Sequence, residues 1–372
     1  MSPQSKLFAP ITAGSLQLDH RIVLAPMTRF RAGKEDGVPS ADHIKYYEQR
    51  ASKGGLLISE GTFVSKEAGG YLSVPGLWTK EQIEGWKLVT AAVHAKGGKI
   101  AAQLWALGRV ADPSNVDKVV APSDVPLAGG PQTLHVLTEE DINRFVESFA
   151  EAARNAVEAG FDAVEAHFAN GYLPDQFIQS VSNKRTDSYA ASTFKFPLRI
   201  LDALTTAIGP ERVGFRISPY NTFQGMREAK PLDTFVPFVN KALDAHPALA
   251  FVHAVEPRAD GFDVKDDVGE DTLEPIRQII KEKGKGTRFI VAGGFKPDSA
   301  IAHANATDDL VAIGRYFISN PDIVARIKNG HPLAEYNRDT FYSPGPEGYT
   351  DYLEYNAIKQ DHAAEAVAPA IA

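Results

Sequence analysis

Three polar side chains arrive within six positions in His167-Phe168-Ala169-Asn170-Gly171-Tyr172. A histidine and an asparagine can both donate hydrogen bonds to one oxygen. In a dry pocket such a pair stabilises negative charge developing on a carbonyl. Tyr172, a phenol with an ordinary pKa of about 10, suits delivery of a proton to an enolate-like carbon. An isolated histidine at a strand end is ordinarily a packed core residue, and a tyrosine a packing aromatic. The long connection that begins here favours the chemical reading.

Other candidates are spread along the chain. Arg216 lies within the apolar run Val213-Gly214-Phe215-Arg216-Ile217-Ser218-Pro219. A charge there needs an anionic partner: either it points outward to a helix, or it faces electron-rich atoms of a ligand. Gly293-Gly294 and Gly314-Arg315 each follow an apolar run. Glycine lets backbone N–H groups approach a phosphate, and arginine adds charge; tight turns also use such glycines. Gln103 and Trp105, two apart, can share one face of a strand, and a Gln amide can read a donor–acceptor edge such as that of a flavin ring. Thr28, in Pro26-Met27-Thr28-Arg29, offers a hydroxyl, although alone it reads as a turn residue.

These residues sit at or near the ends of eight apolar runs: Ile22–Ala25, Leu56–Glu60, Lys99–Trp105, Ala163–His167, Val213–Ile217, Phe251–Val255, Arg288–Ala292 and Leu310–Ile313. Near-continuous apolar runs indicate parallel strands buried on both faces. Helical stretches alternate with them. Thr79-Lys80-Glu81-Gln82 and Thr138-Glu139-Glu140-Asp141 start two, and others fit Ser40–Ser52, Leu198–Ile208, Leu232–Ala245, Leu273–Lys283, Pro297–Asn305 and Pro321–Lys328. The pattern predicts an α/β fold, a (β/α)8 TIM barrel, rather than an open doubly wound sheet. All eight strand ends then converge on the face where such barrels keep their active sites, and the loops after strands seven and eight commonly bind phosphate. An N-terminal hairpin is expected over Leu7 to Gln17. Long connections, Ala106–Leu137 and Phe168–Pro197, follow strands three and four. Residues 1–362 are expected to form one domain. An aromatic segment after Gly330 should pack on the barrel, and 363–372 should be a frayed tail.

Composition limits the alternatives. The chain has 372 residues, 44% of them hydrophobic, and a net charge of −8. The absence of a long basic run argues against nucleic acid. There is no cysteine, which excludes disulfides, thiolate catalysis and cysteine-ligated metal, and no metal site is expected. No apolar stretch of about 18 residues is present to span a membrane. A soluble, cytoplasmic protein is expected, as a monomer or homodimer.

Taken together, the residues resemble the Old Yellow Enzyme family of flavin-dependent ene-reductases, and its fungal branch in particular. The resemblance runs from about Lys6 to Tyr352. It is carried by Leu24-Ala25-Pro26-Met27-Thr28-Arg29, Ser59-Glu60-Gly61-Thr62, Gln103-Leu104-Trp105, Glu165 to Leu173, Arg216-Ile217-Ser218-Pro219, Gly314 to Pro321 and Arg338-Asp339-Thr340-Phe341-Tyr342. It implies one non-covalent FMN at the C-terminal mouth of the barrel, with NADPH or NADH as reductant. By that match Thr28 lies at the flavin O4 side, Pro26, Met27 and Gly61 line the ring, and Gln103 reads its pyrimidine edge. Arg216 faces N1 and O2, and Gly293, Gly294, Gly314 and Arg315 hold the phosphate. His167 and Asn170 grip the carbonyl of an enone or enal. Hydride passes from flavin N5 to the β-carbon and Tyr172 protonates the α-carbon. Tyr71, Trp105, Phe223, Phe341 and Tyr342 shape the pocket.

The same resemblance admits a reductase or isomerase dedicated to one secondary-metabolite enal or enone. A flavin- or ligand-binding barrel without turnover is the alternative of another class. The family pattern is broken after Arg185-Thr186-Asp187-Ser188-Tyr189, where Ala190-Ala191-Ser192 replaces Gly-Gly-Ser and the following segment is about three residues short. Side chains at 190 and 191 would restrict any positive-φ backbone there, predicting a reshaped loop after strand four. His253 and Glu256, at the end of strand six, acquire no role.

Overall fold

The computed structural model describes residues 5–261, 263–265 and 267–357. The expected boundary at 362 and the tail 363–372 lie outside them. Eight parallel strands close into a barrel: β1 (Ile22–Leu24), β2 (Leu56–Phe63), β3 (Lys99–Trp105), β4 (Ala163–His167), β5 (Val213–Ile217), β6 (Phe251–Val255), β7 (Arg288–Ala292) and β8 (Leu310–Ile313). Closure pairs Val311, Ala312 and Ile313 of β8 with Ile22, Val23 and Leu24 of β1. The outer helices are α1 (Ala41–Arg50), α2 (Lys80–Ala95), α3 (Glu139–Glu158), α4 (Lys195–Ile208), α5 (Pro231–Ala245), α6 (Glu274–Lys283), α7 (Pro297–Ala306) and α8 (Ile323–Asn329). The expected (β/α)8 barrel is therefore found, with Thr79 and Thr138 capping α2 and α3 through their hydroxyls.

Alternation along each strand sorts the side chains. Ile22, Leu57, Ile100, Val164, Phe215, Val252, Val291 and Val311 join the core beneath the helices. Val23, Ile58, Ala101, Ala163, Phe251, Ile290 and Leu310 turn inward instead. The N-terminal hairpin, Ile11–Ala13 paired with Leu16–Leu18, adds its apolar residues to this inner cluster and caps the bottom of the barrel. A Cβ on Gly214 would meet the Phe251 ring at 2.4 Å, so glycine gives that ring its place inside.

The barrel interior therefore has an apolar plug at the bottom. Two residues further along β3 and β4 stand Gln103 and Glu165, direct cross-strand partners. Likewise Arg216 and His253 follow Gly214 and Phe251, and are partners across β5 and β6. Polar chemistry begins one step above the plug.

Three local readings change. The segment after β4 is not one loop, because Leu173–Ile178 forms a short helix. The helix expected over Pro321–Lys328 is found as α8, starting two residues later, and a short helix that was not expected, Arg315–Ser319, precedes it. The substitutions after Tyr189 do not fall on positive-φ backbone: Ala190 has φ −53° and Ala191 opens a 3-10 turn. The left-handed residue is Phe194, at φ 55°, whose side chain is buried in the core.

Candidate active site

A cleft of about 1140 Å³ opens at the C-terminal mouth of the barrel. It is lined by Pro26, Met27, Thr28, Tyr71, Gln103, Trp105, His167, Asn170, Tyr172, Arg216, Phe223, Gly293, Gly294, Gly314, Arg315, Phe341 and Tyr342. The structure thus gathers every residue selected from sequence except one. Gly61 pairs with Gln103 across the sheet but does not line the cleft. A Cβ there would stand 2.5 Å from the Trp105 indole, so the ring requires a glycine at this position.

The substrate-side residues form a compact group. The Trp105 and Tyr172 rings meet edge to face at 4.8 Å between centroids, and His167 lies 5.1 Å from Tyr172. Tyr71 packs 5.9 Å from Trp105 and donates its hydroxyl to the Val110 carbonyl. Burial, reinforced by Arg216 and His253, holds the His167 pKa well below 6.5. A neutral imidazole is a single donor with one lone pair. Burial likewise pushes the Tyr172 phenol well up, with Arg216 opposing, so the hydroxyl keeps its proton.

Asn170 sits at φ 59°, a left-handed conformation that asparagine tolerates better than most residues. Ser218 Oγ accepts its backbone N–H at 2.7 Å, and Asn221 donates to its Oδ1 at 3.1 Å. With its carbonyl oxygen engaged, the amide nitrogen is the group left to donate. Ser218 and Asn221 were missed in sequence. They lie two and five residues beyond Arg216, on the loop leaving β5, and only the barrel brings that loop to Asn170.

The floor is polar and closely connected. Gln103 Nε2 donates to Glu165 Oε1 at 2.8 Å, and His253 Nδ1 lies 2.7 Å from Glu165 Oε2. Arg216 is half-buried at the cleft; burial lowers its pKa while Glu165 raises it. Glu165 was also missed, although its spacing of two from His167 placed it on the same inward face.

The site fits FMN on its own chemistry. Arg216 Nε, His167 Nδ1 and Trp105 Nε1 are buried polar atoms without a protein partner. Such atoms carry a free-energy cost unless a bound group engages them. Gly294 is left-handed at φ 62°, and side chains at Gly293 and Gly294 would strike Glu256 and Val264 at 2.7 and 2.8 Å. That leaves bare backbone lining the cleft beside Gly314 and Arg315.

Residues 6–334 match the NADH:flavin oxidoreductase / NADH oxidase family. The chain belongs to this family. The chanoclavine-I aldehyde reductase of Penicillium roqueforti is 43% identical, over 94% of this chain and 96% of its own. Among solved structures, morphinone reductase is 36% identical with a TM-score of 0.86, covering 96% of this chain and 98% of its own. The Old Yellow Enzyme homologue of Zymomonas mobilis is 33% identical with a TM-score of 0.83, covering 93% and 99%. The Old Yellow Enzyme resemblance is therefore borne out: the protein is an FMN-dependent, NAD(P)H-linked oxidoreductase. Among the described residues no helix is long and apolar enough to cross a membrane.

Proposed function

We propose that the protein is an ene-reductase that uses NADPH or NADH to reduce the C=C bond of α,β-unsaturated aldehydes and ketones. The observation that carries this reading is the grouping of two neutral hydrogen-bond donors, His167 and Asn170, with a phenol that keeps its proton, Tyr172, around one cleft. FMN, when bound, supplies a two-electron acceptor and donor that passes hydride between nicotinamide and a carbon centre. His167 and Asn170 hold the carbonyl oxygen and stabilise the charge that accumulates there. Tyr172 gives its proton to the α-carbon. Trp105, Tyr71, Phe341 and Tyr342 exclude water around the alkene. The relative named as an aldehyde reductase supports an unsaturated aldehyde within the substrate class.

Anaerobic half-reactions test the assignment. Holoenzyme reduced with NADPH should be reoxidised by 2-cyclohexenone, yielding the saturated ketone. Tyr172→Phe should slow that reoxidation by about 100- to 10,000-fold, the usual contribution of a positioned acid, while flavin reduction by NADPH stays within a few-fold. Reoxidation at the wild-type rate would remove Tyr172 from the proton transfer.

A further inference from the structure

His253 is fully buried on β6, with no role in the chemistry above. Its Nδ1 lies 2.7 Å from Glu165 Oε2, and its Nε2 has no protein partner. Burial holds its pKa below 6.5 and Arg216 adds to that effect, while Glu165 opposes. The neutral ring therefore gives its one N–H to Glu165 and leaves a lone pair at Nε2. The second Glu165 oxygen accepts from Gln103 Nε2. Two neutral donors thus engage one oxygen each of a carboxylate that is itself fully buried, and neither cancels its charge. Arg216 is a cation that interacts with it.

Two consequences follow from elementary chemistry. A carboxylate accepts hydrogen bonds and cannot donate, so Glu165 forces the Gln103 amide to turn its nitrogen toward it. The amide oxygen and the remaining N–H are then presented in one fixed orientation to whatever occupies the cleft. Second, an acidic group beside Arg216 reduces the net positive field at the cleft floor, in a region of low dielectric where that field is strong.

We propose that Glu165, held by His253, is a positioning residue for the flavin: it fixes the Gln103 amide and offsets the Arg216 charge, so that reduced FMN is stabilised less than Arg216 alone would stabilise it. Glu165 thereby lowers the flavin potential and keeps the reduced cofactor a stronger hydride donor. The inference rests on FMN binding, which family membership establishes, and not on the proposed substrate.

The test is the midpoint potential of Glu165→Gln holoenzyme, read by anaerobic spectroscopic titration against a reference dye. The neutral amide is isosteric, and His253 can switch tautomer to accept from it. The potential should rise, by about 30 mV for each tenfold gain in binding of reduced over oxidised FMN, with a gain of about 10- to 100-fold expected. His253→Gln, which retains a neutral donor, should stay near the wild-type potential. A Glu165→Gln potential equal to or below that of the wild type overturns the proposal. If that variant does not fold, wild-type holoenzyme labelled with 13C-glutamate carries the decision. Its reduced-minus-oxidised infrared spectrum should show a displaced ionised glutamate band. No displaced band, or a protonated carboxyl band appearing on reduction, overturns the proposal.

Discussion

Two irregular segments line the cleft, and opposite chemistry holds them. The turn after β4, from Phe168 to Tyr172, is fastened through its N–H groups by acceptors. Asp175 Oδ2 takes the Gly171 N–H at 2.8 Å and Ser218 Oγ takes that of Asn170. The C-terminal strap, residues 337–350, is fastened through its carbonyls by buried arginines. Arg31 alone donates to the Thr340, Phe341, Gly345 and Glu347 carbonyls, and Arg29 to those of Phe341 and Gly348. Arg50 reaches Tyr349 O, and the Arg31 guanidinium lies 4.6 Å from the Tyr349 ring. Burial lowers the Arg31 pKa and takes that of Arg50 to about 10, which leaves both charged near neutrality. Burial pushes the Asp175 carboxyl up to about 7. The wall that carries the donors is therefore pinned by a group that titrates under working conditions, and the aromatic wall by groups that do not.

The sharpest way to break the comparison is at Asn170, where the turn meets the chemistry. Asn170→Ala removes the donor and strands the Asn221 amide. Turnover with an enone should fall about 100- to 1,000-fold, as when one donor to a developing oxyanion is lost. Asn170→Gly serves as control, since glycine accepts φ 59° freely. It strands the same Asn221 amide but carries no left-handed strain, so it should lose the same rate with a smaller loss of stability than Asn170→Ala. Equal turnover in Asn170→Gly and wild type would make the turn a scaffold only.

A smaller effect is expected at the strap. Arg31→Ala removes four hydrogen bonds to strap carbonyls at once. Phe341 O keeps Arg29 and Thr340 O keeps Ser343, while the carbonyls of Gly345 and Glu347, on exposed residues, lose their guanidinium donor. Each loss therefore falls at or below the low end of the range of about 1–3 kcal/mol for an unrelieved buried group. Because water can reach an opened strap, a net loss of about 3 kcal/mol is expected, read in denaturant unfolding, with new protease cleavage within 337–350. Arg31→Lys should rescue little, because one ammonium cannot span the carbonyls that a guanidinium fork reaches. FMN absorbance should persist in both. Stability unchanged in Arg31→Ala would show that packing of Tyr349 on Tyr46, stacked at 4.3 Å, holds the strap unaided.

The same contrast explains what could be read in the sequence. Strands buried on both faces leave uninterrupted apolar runs, so the barrel was legible, and strand ends in a barrel must converge. His167, Asn170 and Tyr172 are near neighbours in the chain and showed as a group. Glu165 and His253 did not, because they stand 88 residues apart on β4 and β6, strands that are separated by β5 and meet only through the side chains inside the barrel. Arg29 and Arg31 reach strap carbonyls 309 to 319 positions away, with no local spacing to mark them. The ribbon of Ala259–Asp260 with Asp263–Val264, which also lines the cleft, is two residues per strand and too short for alternation to register. Gly61 shows how a glycine is ambiguous in a sequence: one beside a ligand and one beside a large ring, here Trp105, look alike without coordinates.

The finest test lies in the titration of Asp175. Its folded pKa, about 7, stands above the unfolded value near 3.8, so the native state holds this proton more tightly. Its contribution is complete below about pH 4 and is lost as pH rises toward 7, at about 1.4 kcal/mol per pH unit. His20, depressed to about 4, and the buried His167 and His253 shift the other way. They bind protons more weakly when folded, so their terms raise stability over much of the same range and would mask Asp175 in a single profile. The difference between wild type and Asp175→Asn isolates it, since the histidine terms cancel. Relative to Asp175→Asn, wild type should lose about 1.4 kcal/mol between pH 5 and 6 and stop changing above about 7.5. The offset at any one pH reports the altered hydrogen bonds to Gly171 and Gln179, whereas the slope reports the proton alone. A flat difference would mean that Asp175 stays ionised throughout. The turn would then be pinned as permanently as the strap, and the contrast between the two walls would reduce to the sign of the charge that holds them.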